Sequence, residues 1–524
     1  MKLHHDGQVF YMEMAYEERH HAKAASFRWD PDKRRWWTDA PGKAAMLAAF
    51  ADEQARLELV LSTVTSEQGT ALLGRGFLPY QVEAVRFAVE HLGTLLADEM
   101  GLGKTAEAIA VMDLTGARKV LVVAPLSVKA VWQAELAKWS GQPRTVGLAT
   151  AKDWPEGADV VVVHPEVLAR QEEQLLSATW DLVVVDEAHF FKDYNAVRTQ
   201  VLFGSPRRGH PGVTAKRRLC LTGTPVPNRP REIYSVLNWL TPRQWGSKHT
   251  FEERYCDGGY IGGYWGRVWD ADGASNLGEL HNRLRAEVMV RHLKADVLAQ
   301  LPPKRHNLVA WRPEDVGTAA VRALRNERKV LAKAGVDLGQ AGWAAKVKRL
   351  EARGGGDGAA LAKARHETAL AKAPAVVAYV AAALEDDPGK VVVWVHHHDV
   401  ADIVANGLAP YGVALVDGRT DVIERARLVE RFQADPSCRT FVGGLTATGT
   451  GITLTAASHV VFAELDWRPG VLVQAEDRCH RIGQPGYVLV EHLLVDESIE
   501  AYMAKVVLKK AKVQAELLDQ GKVA

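Results

Sequence analysis

Short apolar runs separated by helical text recur in two blocks along this 524-residue chain, and no other feature constrains its fold as tightly. The first block, from about residue 70 to 240, includes Thr94 to Ala97, Val120 to Ala124, Val160 to Val163 and Leu182 to Val185. The second opens with Val391 to Val395 and continues to about residue 495. A strand with one wet face alternates apolar and polar residues, so a run with no polar face must be covered on both sides. The pattern predicts an α/β protein with parallel sheets flanked by helices. The chain is too long for one core, which agrees with two such lobes and smaller attached parts.

The boundaries follow from shifts in composition. Residues 1–65 read as a small aromatic and basic α+β domain. Residues 70–305 read as the first lobe, with a helical protrusion at about 240–300. Residues 306–385 read as a linker and second helical protrusion, with a surface loop at Gly354 to Gly358. Residues 386–524 read as the second lobe, closed by a helix over Ser498 to Gln520. The net charge of +1 gives no global basic field, so any nucleic-acid contact must come from a local groove. The four cysteines show no CxxC spacing, and no run approaches the apolar length of a membrane helix. The histidine runs His4-His5, His20-His21 and His396 to His398 lack the partners of a metal site.

Two strings place a nucleotide in the first lobe. DEMGLGKT (Asp98 to Thr105) sits between an apolar run and the helical text KTAEAIAVM, the context of a phosphate-binding loop. Gly101 and Gly103 shape the loop, Lys104 reaches the β- and γ-phosphates, and Thr105 ligates Mg²⁺; Asp98 takes the place of the loop's first glycine. DEAH (Asp186 to His189) ends the run LVVV. There Asp186 holds Mg²⁺ and Glu187 orients and deprotonates the attacking water. Much later, QAEDRCHRIGQ (Gln474 to Gln484) offers Arg478 and Arg481, three apart, to neutralise charge on a phosphoryl group in flight. These arginines fit the scheme only if the second lobe closes on the nucleotide. Gln474 is placed with them at the nucleotide.

Together with LTGTP (Leu221 to Pro225), the set resembles the Swi/Snf family within superfamily 2 of the helicases. LPYQ (Leu78 to Gln81) resembles the adenine-reading motif, with Gln81 as the reader. VVAPLSVKAVWQAELAKW (Val122 to Trp139) resembles motif Ia, and TATGTGITLTAASHVVFAELDW (Thr446 to Trp467) resembles motif V. FEERYCD, SNLGELHNRL and MVRHLKADVLAQLPPK narrow the resemblance to annealing helicases and fork remodellers of the HARP type. Two departures stand out: His292 where a second arginine is usual, and the insert GSPRRGHPG (Gly204 to Gly212).

The resemblance implies two RecA-like lobes with helical protrusions, ATP and Mg²⁺ as cofactors, and translocation on double-stranded or branched DNA, mostly without separating the strands. It places DNA contacts at Pro125, Ser127, His164, Thr222, Gly223, Thr446, Thr448 and Gly449, with LTGTP coupling ATP state to lobe movement. In the first domain, SFRWDPDKRRWWTD reads as two strands around an Asp30-Pro31-Asp32 turn. Its Arg28, Trp29, Arg34, Arg35, Trp36 and Trp37 combine cations with aromatic faces and are candidates for sensing a DNA branch; the bland reading is a small domain using aromatics as core. Strand separation on the same scaffold, or displacement of DNA-bound proteins, are the rival activities. Single-strand-binding protein and other replication or repair proteins are candidate partners. The expected state is a monomer, and the expected location the cytoplasm of a bacterium or the host of a phage.

Overall fold

The computed structural model forms two compact units, Met1–Val297 with Gln514–Ala524, and Leu298–Val513. It describes the chain except residues 46, 48–49, 53, 56–57, 60–61, 63–65, 127–128, 206–207, 264–265, 299–300, 339–342, 344–345, 348–349, 351–355, 446–451, 482 and 520–524.

Among the described residues, the first unit contains a seven-stranded sheet whose neighbouring strands are all parallel. Its order is Met289–Val290, Gly93–Leu96, Ala215–Leu221, Trp180–Asp186, Val120–Val123, Val160–Val163, Val146–Leu148. Every residue of Gly93–Leu96, Val120–Val123 and Val160–Val163 is buried, as runs without a polar face require. The register is what matters for function. Leu221 pairs with Leu96 on one side and with Asp186 on the other. The segments that follow these three residues, the phosphate loop, LTGTP and DEAH, therefore leave the same sheet edge side by side. This is the carboxyl end of a parallel sheet, where ligands of such folds bind.

The same unit carries the N-terminal sheet, ordered Lys2–His5, Phe10–Glu13, Arg35–Thr38, Arg28–Asp30 and antiparallel throughout. Leu3, Phe10, Met12 and Phe27 pack with Ala22 and Ala25 as its core. A separate antiparallel hairpin joins Gly259–Gly263 to Gly266–Asp270.

The second unit holds a parallel sheet ordered Lys304–Trp311, Val488–Val495, His459–Phe462, Val391–Val395, Thr440–Gly444, Val413–Val416. Alternation assigns its two faces: Val392 and Trp394 enter one apolar cluster, Val391, Val393 and Val395 the other. Helix Gly356–Asp386 covers the second face through Ala373, Val376, Val380 and Leu384. By length and composition it could cross a membrane, but that face is packed in this core.

Three strands of the first sheet escaped the apolar-run signal. Ala215–Leu221 begins with Lys216, Arg217 and Arg218; Arg217 donates to the carbonyls of Ala88 and His91, and Arg218 to that of Trp239. Met289–Val290 and Val146–Leu148 are too short to show. Lys304–Trp311, in the stretch read as linker, is an edge strand with mostly exposed side chains. Gly354 and Gly355 of the expected surface loop lie outside the described residues, and from Gly356 onward the chain is helical rather than looped.

Glu327 is buried in the second unit, accepting from Ile499 N–H and the Thr368 hydroxyl. Burial pushes its carboxyl up to about 7, against those two donors. The folded state thus binds this proton more tightly than the unfolded chain, so stability falls as pH rises from the ordinary carboxyl range through 7. Glu327→Gln should remove that loss: Tm should rise by a few degrees at pH 8.5 and change little at pH 5. Thermal melts at both values check it.

Candidate nucleotide site

Strand Gly93–Leu96 delivers the chain into the loop, and helix Lys104–Leu114 receives it. Gly101 and Gly103 have φ of +84° and +91°, a left-handed backbone that side chains disfavour. A Cβ on Gly103 would also stand 2.3 Å from the Gln81 amide nitrogen and displace that side chain. Gln81 is buried; its Oε1 accepts from Leu78 N–H (2.8 Å) and its Nε2 donates to Leu102 O (2.8 Å). Tyr80 hydroxyl donates to the same carbonyl at 2.9 Å. Gln81 therefore braces the loop as well as the start of its own helix. One amide hydrogen and one carbonyl lone pair are left for a base.

Lys104 Nζ donates to the carbonyls of Asp98 (2.6 Å) and Glu99 (3.2 Å). Burial lowers its pKa, against the attraction of Glu187, Asp98, Glu107 and Asp186. One ammonium thus stands among four carboxyl groups. The excess of acid is legible in the groups themselves. Burial and the charge of Glu187 push Asp186 up to about 6. Burial and Asp98 hold Glu107, wholly buried, well above the usual carboxylate range. Among the described residues no three acidic, histidine or cysteine side chains are placed to enclose a metal ion, so Mg²⁺ would need phosphate oxygens and waters as further ligands; a helix start with Lys104 and Thr105 on its first turn suits phosphate.

One of the two departures noted in the sequence, His292, was expected to lie away from the nucleotide and instead meets the phosphate loop. Asp98 is fully buried and accepts from both the backbone N–H and the ring Nδ1 of His292, at 2.9 and 3.0 Å. Strand Met289–Val290 pairs beside Gly93–Leu96 and brings His292 to the loop. Burial disfavours the imidazolium, but Asp98 and Glu83 push His292 up to about 10, so it is a cation at neutral pH, as an arginine there would be. Arg291 next to it donates to Ala97 O (2.7 Å) and pairs with Asp519 (2.6 Å).

DEAH closes the other side. Asp186 ends its strand with Oδ1 accepting from Glu187 N–H (2.9 Å) and Oδ2 from the Trp132 indole (2.8 Å). Glu187 has φ +49° and ψ +53°, a strained conformation for a residue with a side chain. His189 Nδ1 lies 3.2 Å from Glu187 Oε2 and 3.2 Å from Thr222 Oγ1, linking DEAH to LTGTP. Trp132 and His189 were quoted in motifs without a role. Nothing but the fold could have supplied it, since Trp132 lies 54 residues from its partner. Trp132→Phe removes the donor from Asp186 while keeping a large apolar side chain. By analogy with outer-shell partners of metal ligands, turnover should fall roughly 10- to 100-fold with the fold retained. Steady-state kinetics against Mg²⁺ concentration, with a melt as control, check this.

In the second unit, helix Pro469–Glu476 and the turn after it carry the late motif. Its other polar residues form a brace. Glu476 and Asp477 pair with Lys304 at 3.2 and 3.3 Å, and Glu476 accepts from His306 at 3.0 Å. Gln484 Nε2 donates to the carbonyls of Thr455, Ala457 and Cys479. Gln474 is buried. The two arginines differ. Arg478 is 2% exposed and donates to Ile452 O; Arg481 is half-buried, donating to Asp477 O and Thr453 Oγ1.

The structure gives the surroundings of the expected DNA contacts. Pro125, Thr222 and Gly223 are buried. Thr222 is spent on His189, and a Cβ on Gly223 would meet Met100 of the phosphate loop at 2.3 Å. Thr222 and Gly223 thus lie against DEAH and the phosphate loop. His164 is half-buried and caps the turn Pro165–Arg170 by accepting from Glu166 N–H. Ser127, Thr446, Thr448 and Gly449 lie outside the described residues. In the N-terminal sheet, Trp29 pairs across from Trp36, and Arg28 from Trp37. Arg28 is bound to Asp39 and Arg35 to Asp6, at 2.6 and 2.9 Å, while Arg34 is exposed.

With this geometry in hand, known proteins place the chain. The SNF2-related domain model matches residues 80–341, and the helicase conserved C-terminal domain model residues 372–483. A Xenopus tropicalis protein named "SWI/SNF-related matrix-associated actin-dependent regulator of chromatin subfamily A-like protein 1" is 34% identical over 480 residues, 89% of this chain and 48% of the relative. The mouse "DNA annealing helicase and endonuclease ZRANB3" is 35% identical over 485 residues, 88% of this chain and 43% of the relative. This chain thus spans about half the length of these curated relatives. Among solved structures, the Sulfolobus solfataricus SWI2/SNF2 ATPase core in complex with dsDNA aligns with 21% identity and a TM-score of 0.39, over 85% of this chain and 93% of that one. Relatives of the first two kinds come from vertebrates, a nematode and a fly. The expectation of a bacterial or phage origin, and the cytoplasmic location tied to it, is therefore not supported.

Proposed function

We propose a function from the premise that this chain belongs to the SNF2-related family: it is a DNA-dependent ATPase that moves along double-stranded DNA and remodels or anneals branched DNA. The observation that carries this reading is the convergence of three motifs on one sheet edge. Lys104, Asp186 and Glu187 stand half-buried together there, and His189 ties them to LTGTP.

In this reading Lys104 and the start of helix Lys104–Leu114 hold the phosphates, helped by Gly101 and Gly103. Thr105 and Asp186 would hold Mg²⁺, which when bound supplies neutralisation of phosphate charge. Glu187 orients the attacking water and takes its proton. Gln81 reads the base, and the second unit supplies Arg481 against the developing charge, with Gln474 and Arg478 in the same string. Thr222, through His189, passes nucleotide state to the DNA-bound surface. Arg28, Trp29, Arg34, Arg35, Trp36 and Trp37 contribute the branch-sensing surface. Relatives named for DNA annealing favour rewinding over unwinding.

The test is a pair of assays on one labelled fork. ATP-dependent annealing or fork reversal, without release of a free strand, is the expected result. Release of a single strand would instead favour a strand-separating helicase. ATP-dependent eviction of a bound protein, with no change in the fork, would favour a protein-displacing motor.

A further inference from the structure

We propose that His292 is a positioning residue for nucleotide binding: its ring neutralises Asp98 at the head of the phosphate loop and so keeps the Lys104 ammonium available to phosphate. The inference rests on the ATPase reading above and concerns its nucleotide-binding half alone.

The backbone brings the two residues together. Strand Met289–Val290 pairs with Leu95 and Leu96, and the ladder runs on past the strand ends. Ala97 N–H donates to Val290 O at 2.8 Å, and Glu99 N–H to His292 O at 3.0 Å. Side chains of the loop return the contact. Asp98 Oδ1 accepts from His292 N–H at 2.9 Å, and Glu99 Oε2 from Lys294 N–H at 2.7 Å. The first residues of the phosphate loop are therefore shaped against the segment from Val290 to Lys294, and the ring at position 292 is held beside Asp98.

The charges decide what that ring does. Asp98 is fully buried, and the His292 Nδ1 lies 3.0 and 3.1 Å from its two carboxylate oxygens. The Lys104 ammonium also attracts this carboxylate, and it donates to the carbonyl of the same residue at 2.6 Å. A buried carboxylate that loses its partner is costly, and the nearest remaining cation is drawn to it. Without the imidazolium that cation is Lys104, and an ammonium held by Asp98 is lost to phosphate. The other groups facing the ring bring no second cation. Helix Pro79–Glu90 contributes Glu83, 3.5 Å from Nε2, and the Tyr80 ring at 5.6 Å. Helix Lys104–Leu114 contributes Glu107, a wholly buried carboxyl.

The test titrates the full chain with a fluorescent ATP analogue and Mg²⁺ in the absence of DNA, and follows ATP hydrolysis with duplex present. His292→Gln keeps a donor for Asp98 and loses the charge. Its nucleotide Kd should rise about tenfold, the scale of one charge-assisted hydrogen bond, while turnover at saturating ATP stays within about threefold. His292→Arg keeps the cation and should hold the Kd within about twofold of the unaltered protein. Asp98→Asn added to His292→Gln removes the carboxylate that competes for Lys104, so the double variant should regain most of the lost affinity. A merely structural pair would lose more with the second change. Unchanged Kd in His292→Gln would overturn the proposal, as would a loss that neither His292→Arg nor the double variant repairs. Where His292→Gln melts early, the double variant, which strands neither charge of the pair, decides: a Kd about tenfold above that of the unaltered protein overturns the proposal. If the unaltered chain binds nucleotide but is not stimulated by DNA, the motor reading falls while the same titrations still score His292. If it binds no nucleotide, both fall.

Discussion

Glu187→Gln is expected to bind ATP within about twofold of the unaltered protein and to lose turnover by about 10³-fold, a general base being worth roughly 10² to 10⁴. The exchange keeps size and hydrogen-bonding shape but removes the group that accepts the proton of water. It also removes one of two adjacent carboxylates; burial, the larger cause, still raises Asp186, but the added repulsion from Glu187 is gone. Binding of nucleotide with Mg²⁺ should therefore not suffer. The backbone at Glu187 is already left-handed, and glutamine meets the same strain there as glutamate. Lys104→Ala is the contrasting case. It deletes the single ammonium in a basin of four carboxyl groups, so both nucleotide affinity and turnover should collapse. Fluorescent-nucleotide titration with single-turnover hydrolysis separates the two. Near-normal turnover in Glu187→Gln would place the base elsewhere.

The second large effect concerns the two arginines, which the sequence treats as equals and the fold does not. Arg481 is half-buried and donates to Asp477 O and Thr453 Oγ1. Arg481→Ala should lower DNA-stimulated turnover by about 10³-fold with an unchanged melt, at the lower end of what a transition-state arginine supplies. Arg478 is 2% exposed inside the second unit and donates to Ile452 O. Its replacement by Ala should lower Tm by several degrees as well as turnover, because it opens a cavity among buried polar groups. Melts of both variants beside their kinetics check the split. A stable Arg478→Ala with a larger kinetic loss than Arg481→Ala would reverse the assignment.

Much of the fold was legible because strands buried on both faces have no polar face to obscure them. Val120–Val123, Val160–Val163 and Val391–Val395 stand out for that reason. Ala215–Leu221 did not, since its Arg217 and Arg218 are satisfied by carbonyls, and its Lys216 by Asp181, that only the tertiary structure brings near. Lys304–Trp311 did not, since an edge strand keeps a wet side. The same division holds at the site. Motif strings named Lys104, Asp186 and Glu187, but contacts across long separations were silent. Asp98 meets His292 194 residues away, and the His189–Thr222 link spans 33. A motif also names residues without saying which way they face. Pro125, Thr222 and Gly223 were expected at DNA and are buried.

The central claim is that this chain turns over ATP in response to branched DNA. The direct measurement is the hydrolysis rate of the intact chain with single strand, blunt duplex, fork and four-way junction at one salt concentration, with Lys104→Ala as the blank. The account predicts strong stimulation by fork and junction, weaker stimulation by plain duplex, and little by single strand alone. Stimulation by single strand alone, or a rate indifferent to every DNA, would contradict it.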